Sequence, residues 1–301
     1  MENGLKNCLY YLAGLVFLFL AKVKSILQGY TTPKTFGINE IQKSVEYDIN
    51  IVDGWLTNLK KYTNDDSMDL LLNKSILELG PGSDLGVGLY ILSKSAKDYN
   101  AIDINNLIKN TPEQFYTAFF KYLKGKKNTD VENLKLELSK TQKGNNERLN
   151  YIYNKKFDIV KALGASKIDI VFSNAAFEHF DNINKSIEGV SKCVVSGAKF
   201  IVLIDLKTHS RWIRDKDPNN IYRYSKWIYS LFKFSGTPNR VRPYQYKEAL
   251  EKNGWKDIEI IADTKLEDKK LSSIKNYVNQ EFIHEKNQMG YLSVWIYATK
   301  I

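Results

Sequence analysis

Cysteine is nearly absent from this sequence: Cys8 and Cys193 are the only two in 301 residues. Two cysteines cannot build a disulfide framework or a cysteine-rich zinc site, and they read as free thiols in a reducing compartment. Six prolines and 17 glycines exclude a collagen-like or proline-rich chain. Histidine is scarce too, with three in the chain. No His, Asp and Glu residues cluster at ligand spacing, so no metal site is expected. What is present is ordinary globular composition, 43% apolar and 26% charged. The length suggests one domain of catalytic size with extensions, or two small domains.

The formal net charge is +10, and lysine supplies most of it. A basic chain can meet nucleic acid, an anionic membrane or an acidic substrate. The excess of lysine, asparagine and isoleucine equally fits a compositional background.

One uninterrupted apolar run stands near the N-terminus, Cys8 to Ala21, followed by Lys22 and Lys24. As a helix it would span roughly 21 Å, short of a ~30 Å hydrocarbon core. It has too little positive charge before it for a signal peptide, and Leu20-Ala21-Lys22 is a poor cleavage site. It reads as a helix packed on the main domain, an interfacial helix in one leaflet, or a short or tilted span. Extended over residues 5–28 it makes a membrane contact, with the lysines leaving the main domain in the cytoplasm, at the inner face of the membrane.

Residues 1–45 read as this helix plus a turn-rich linker over 30–45, and 46–301 as the main domain. There, helical patterns alternate with short apolar strands, the signature of an α/β fold with a parallel sheet and covering helices. Strands are expected at 75–79, 100–104, 150–153, 168–173, 199–205, 256–262 and 291–299, with helices at 182–194 and 244–253. Inserts at about 106–149 and 207–243 break the rhythm.

The informative stretch is Glu78-Leu79-Gly80-Pro81-Gly82. An apolar strand ends in glycines that permit a tight turn and close approach of a ligand to the backbone. Asp103, at the end of the next strand, is placed to accept hydrogen bonds from both hydroxyls of a ribose. Glycine spacing alone also fits a dinucleotide site. Glu78 separates the two readings, because a buried carboxylate beside the loop repels a pyrophosphate and suits a ligand with an ammonium and a sulfonium. S-adenosylmethionine has both. Otherwise the glycines form a plain strand–helix turn and Glu78 a helix cap.

The loop resembles the first motif of class I S-adenosylmethionine-dependent methyltransferases. The resemblance continues through Asp103 and through Ile168 to His179 (IDIVFSNAAFEH), which is similar to the fourth-strand motif of the type 11 methyltransferases. It extends to Ile204 to His209 and to Asn239-Arg240, similar to a bacterial subgroup linked to surface-glycan biosynthesis, and covers residues 70–262. It implies a Rossmann-like, seven-stranded, mostly parallel sheet with a reversed last strand and helices on both faces, alongside the N-terminal apolar helix. It implies that Gly80, Pro81 and Gly82 line the methionine part of S-adenosyl-L-methionine, that Glu78 lies near its ammonium, that Asp103 binds the ribose, and that Asn174 and Ala175 contact the methionine side. The third glycine of the family is Asp84 here, with glycines at 86 and 88 instead.

A hydroxyl acceptor also needs a base. His179 and His209 follow the fourth and fifth strands, on the rim where ligands bind in such sheets; each is a candidate, with Asp205 to orient either. Five of the six arginines lie between 211 and 242, interleaved with Trp212, Tyr222, Tyr224, Trp227 and Tyr229. They read either as a cap for an anionic acceptor or as a helical pair with an aromatic core face. The leading function is therefore O-methylation of a small molecule, glycan or lipid-linked acceptor. Nucleic-acid methylation is the second enzyme reading, but Asn174-Ala175-Ala176-Phe177 lacks the prolines of base-methylating enzymes and no nucleic-acid module is visible. A catalytically silent binding protein on the same fold is the third, and a nicotinamide dehydrogenase the outside choice.

Overall fold

A computed structural model describes residues 2–29, 40–67, 69–126, 129–165 and 167–301. Helix α1 (Glu2–Gln28) and helix α2 (Ile41–Thr63) precede the first strand. The rest alternates as β1 (Ser75–Leu79), α3 (Gly86–Ser93), β2 (Asp98–Asp103), α4 (Glu113–Lys124), α5 (Val131–Gln142), β3 (Leu149–Tyr153), α6 (Ile159–Leu163), β4 (Ile168–Asn174), α7 (Ile183–Cys193) and β5 (Val194–Asp205). Then come α8 (Arg211–Arg214), α9 (Lys226–Leu231), α10 (Pro243–Lys252), β6 (Trp255–Lys265), α11 (Asp268–Ile274) and β7 (Tyr291–Lys300). The expected linker over 30–45 lies mostly outside the described residues, and its last part is already α2.

All seven strands form one sheet in the order β3-β2-β1-β4-β5-β7-β6. Strands β1 to β5 pair in parallel, while β7 runs antiparallel between β5 and β6. This is the Rossmann-like sheet with a reversed last strand. The order reverses between β1 and β4, and at such a switch point the two following loops part to leave a crevice.

Strand β1 is buried along its whole length, as a central parallel strand covered on both faces must be. One face is covered by α2, α3, α4 and α5, with Trp55 stacked on Phe172 of β4 at 4.7 Å. The other is covered by α6, α7 and α10. The 106–149 insert supplies α4 and α5, so it is part of the core.

Helix α1 lies along the domain. Tyr11, Leu15 and Leu18 pack on Ile221, Tyr222, Tyr224 and Phe282. Gly14 permits this approach, since a Cβ there would run into Asn220 and Tyr224. Asn220 Nδ2 donates to the Tyr10 carbonyl at 2.9 Å, Tyr224 Oη to the Tyr11 carbonyl at 3.0 Å, and Lys22 Nζ to the Leu231 carbonyl at 2.6 Å. The far face of α1 stays bare: Leu5, Leu9, Leu12, Val16, Phe19, Leu20, Ile26 and Leu27 are all exposed.

Candidate active site

The glycine loop leaves β1 as expected. Gly80 and Gly82 have φ of +75° and +84°, a backbone that favours glycine. The Gly80 amide donates to the Ile102 carbonyl at 3.1 Å, tying the loop to β2. A Cβ on Gly80 would stand 2.5 Å from the Ala176 side chain, so the loops after β1 and β4 nearly touch. Pro81 is half-buried between the two glycines. Asn174 ends β4 and donates from Nδ2 to the Tyr47 hydroxyl at 3.4 Å. Ala175 takes a left-handed φ of +50°, and its amide donates to the Leu203 carbonyl of β5 at 2.9 Å. The chain thus turns sharply at the rim of the crevice.

Glu78 is buried and accepts a hydrogen bond from the Tyr99 hydroxyl. Burial pushes its pKa up to about 8, against the pull of that hydroxyl. It has company that sequence reasoning missed. Asp84, in the loop, and Asp48, on α2, are both raised by burial and lie beside each other and Glu78, Asp48 well above the usual carboxylate range. Asp84 Oδ1 accepts from the Gly86 amide at 2.9 Å, the Asp48 and Asp84 carboxyls contact each other, and Asp48 Oδ2 makes no well-formed hydrogen bond among the described residues. No lysine or arginine acts on any of these three carboxyls among the described residues. A buried acidic cluster with no cation of its own fits a cationic ligand and disfavours a phosphate.

Gly86 and Gly88, which stand out of step with the family pattern, have packing roles. A Cβ on Gly86 would strike Asp48, and one on Gly88 would lie 2.6 Å from the Tyr99 ring. Asp84 was visible in the loop as a departure from that pattern; Asp48 gave no signal, because α2 joins the site only through tertiary packing on α3, α4 and the sheet.

Asp103 ends β2 and is buried. Its Oδ1 accepts from the Asn105 amide at 2.7 Å. Burial raises its pKa to about 6, partly offset by the Asn105 and Ile104 amides. These bonds hold the carboxylate at the carboxyl end of β2, beside the glycine loop.

His179 and His209 come together, with ring centroids 4.8 Å apart and planes at 72°. Burial lowers both pKa values, that of His209 to about 4 with the neighbouring His179 adding to the shift, so both imidazoles are neutral at pH 7. Asp205 does not hydrogen-bond to either ring among the described residues. It is held instead by the Arg214 guanidinium and the Lys207 amide. Its orienting role is therefore replaced by a through-space one, its charge raising both imidazole pKa values. The expectation that no His, Asp and Glu residues gather is also corrected: Glu178, His179 and His209 offer ligand atoms within 4.8 Å of one another. The approach of the β4 and β5 loops made this cluster, and sequence spacing could not show it.

The 207–243 insert resolves mostly toward structure. Arg223 pairs with Asp217 at 2.7 Å, and Arg240 with Glu281 at 3.0 Å. Arg242 is fully buried and donates to the Asn287, Gln288 and Tyr291 carbonyls. Tyr222, Tyr224 and Tyr229 are core. These arginines do not form an open fork for an anionic acceptor, because each is spent on an internal partner. Trp212 and Trp227 remain, 79% and 70% exposed.

No protein-family model and no curated protein sequence matches the chain. Solved structures similar to it include a candidate S-adenosylmethionine-dependent methyltransferase from Listeria monocytogenes, 18% identical, covering 83% of this chain and 99% of that one at a TM-score of 0.44. Phosphoethanolamine N-methyltransferase 2 of Haemonchus contortus, in complex with S-adenosyl-L-methionine, is 12% identical over 82% of this chain and 52% of its own, at 0.43. A candidate O-methyltransferase from Nostoc punctiforme is 12% identical over 98% of this chain and 72% of its own, at 0.46. At such identities and TM-scores the likeness carries no argument about this chain's chemistry.

Proposed function

We propose that the chain is an S-adenosylmethionine-dependent methyltransferase that O-methylates a small acceptor, glycan or lipid-linked. The observation that carries this is the cluster of Asp48, Glu78 and Asp84 beside the glycine turn, free of cations among the described residues, with Asp103 at the next strand end. Those carboxyls would take the ammonium side of the cofactor, Gly80 and Gly82 would let it approach the backbone, and Asp103 would accept from its ribose hydroxyls. Bound there, S-adenosylmethionine supplies an electrophilic methyl group. The protein's own part is to align the acceptor and exclude water. A hydroxyl acceptor loses its proton at the cluster of Glu178, His179 and His209, whose neutral imidazoles have lone pairs to offer.

The raised carboxyl pKa values give this reading its test. Glu78, with a pKa pushed to about 8, is largely protonated at pH 7, and a cation bound beside it favours the ionised form. Binding should therefore release protons at pH 7, and affinity should rise from pH 6 to 7.5, since protonated carboxyls oppose the cation more at the lower pH. Calorimetry in buffers of different ionisation heat reads the proton count. Net uptake of protons, or no binding, would overturn the assignment.

The acceptor is met at a membrane surface. Helix α1 is tied to the domain from Tyr10 to Lys22 and so lies flat, with its bare apolar face outward. An exposed apolar stripe suits the boundary between headgroups and acyl chains. Exposed tryptophans are at home at that depth. Trp212 sits on α8, which packs on α1, and Trp227 on α9, whose end is bonded to Lys22. Lys22 and Lys24 favour an anionic leaflet, which supports contact with the inner face of the cytoplasmic membrane. The protein should sediment with vesicles containing anionic lipid, and Leu12→Asp with Phe19→Asp should abolish that. A wild-type chain that stays in the supernatant overturns the membrane part alone.

A further inference from the structure

Glu178 has no account in the fold. Its side chain is 3% exposed, and neither carboxylate oxygen makes a well-formed hydrogen bond among the described residues, although the amides of Glu178 and Asp205 stand close by. Leaving a buried carboxyl unsatisfied costs free energy, and such a group in a native fold calls for an ion or water. His179 Nδ1 is likewise buried and makes no well-formed hydrogen bond among the described residues. His209 completes the group: its Nε2 stands 3.9 Å from Glu178 Oε1, while its Nδ1 lies 3.1 Å from the Lys207 carbonyl. A bond from Nδ1–H to that carbonyl puts the free lone pair on Nε2, on the side of Glu178. Metal-binding histidines are held in this way, one ring nitrogen on a backbone carbonyl and the other on the ion.

The backbone beneath is clamped as well. Asn239 Nδ2 donates to the Phe177 and Phe180 carbonyls at 2.8 and 3.1 Å, and the Asn239 amide donates to the Glu178 carbonyl at 2.6 Å. The short turn bearing Glu178 and His179 is thus fixed from the 207–243 insert, and His209 comes from the same insert. Such supports fix the backbone that carries the ligands, leaving only side-chain adjustment to the ion.

We propose that Glu178, His179 and His209 bind one divalent transition-metal ion, zinc fitting best. Two imidazoles and a carboxylate suit Zn²⁺ or Fe²⁺, whereas Mg²⁺ and Ca²⁺ prefer oxygen alone. Ligand atoms around zinc lie about 3.4 Å apart for bonds of ~2.1 Å. The observed atoms, all within 4.8 Å, close to that by side-chain movement of about 1 Å. Three protein ligands leave a coordination position open. An ion held there would occupy the imidazole lone pairs and would supply a Lewis acid that lowers the pKa of a bound acceptor hydroxyl, whose proton would then pass to water rather than to His179 or His209. That consequence rests on the methyltransferase reading; the binding itself does not.

The test uses the full chain carrying Cys8→Ser, so that the exposed thiol takes up no metal. Stripped of metal by a chelator, the protein is titrated with Co²⁺, read by visible d–d absorption, and with Zn²⁺ in competition with a chromophoric chelator. One equivalent should bind. Glu178→Gln and His209→Gln, which keep side-chain bulk, should each weaken binding more than about tenfold without lowering the melting temperature of the metal-free protein. His179→Ala should do the same. No saturable uptake, or uptake undiminished in Glu178→Gln or His209→Gln, overturns the site. Asp103→Ala should retain metal uptake, which separates failure of this site from failure of the cofactor assignment.

Discussion

Replacing Asp103 by alanine should weaken S-adenosylmethionine binding about 100-fold, read by calorimetry on the folded variant. The carboxylate is buried, and its Oδ1 is oriented by the Asn105 amide. Each hydrogen bond to a charged group contributes about 1.5–3 kcal/mol, and a ribose offers two hydroxyls. Two such bonds, less the cost of stripping water from the carboxylate, leave an expected loss of about 2.7 kcal/mol. Asp103→Asn keeps an acceptor oxygen without the charge and should fall between the two. Burial already raises the pKa of Asp103 to about 6, so relief of desolvation partly offsets the lost Asn105 and Ile104 amide bonds and the variant should stay folded, melting close to wild type. An unchanged affinity in Asp103→Ala would remove the ribose assignment and, with it, the adenosine part of the ligand.

The largest loss of stability should come from Arg223→Ala. The side chains of Arg223 and Asp217 are each 1% exposed, and Arg223 also donates to Asn7 Oδ1 of α1 at 2.8 Å. Removing one partner of a buried pair leaves the other charge uncompensated, at a cost of about 3–5 kcal/mol. For a chain of this size that is a fall in melting temperature of about 10 °C. The helix loses one of its ties at the same time, so limited proteolysis should cut within α1 first. Replacing both Arg223 and Asp217 by leucine should restore part of the stability, because no lone charge remains buried. A single variant that melts like wild type would show that the pair does not hold the insert.

How far the sequence could be read depended on whether a property was local. Each expected strand appears within a few residues of its place, since alternation of apolar runs and glycine turns follows from backbone geometry and burial over short stretches. The glycine loop is equally local: a positive φ at Gly80 and Gly82 needs only the residues around them. The start of α2 was missed because its polar first turn resembles a linker until Trp55 and its neighbours pack on the sheet.

The sequence by itself determined the α/β alternation, the turn after β1 and the acid after β2, all properties of residues adjacent in the chain. Only the tertiary structure decided which charges meet. It turned Arg223, Arg240 and Arg242 inward onto Asp217, Glu281 and backbone carbonyls, brought Asp48 to Glu78 and Asp84, and joined Glu178 and His179 to His209. The physical reason is that a charged side chain takes its partner from whatever the packed helices and strand ends place within a few ångströms, and chain spacing does not encode that distance.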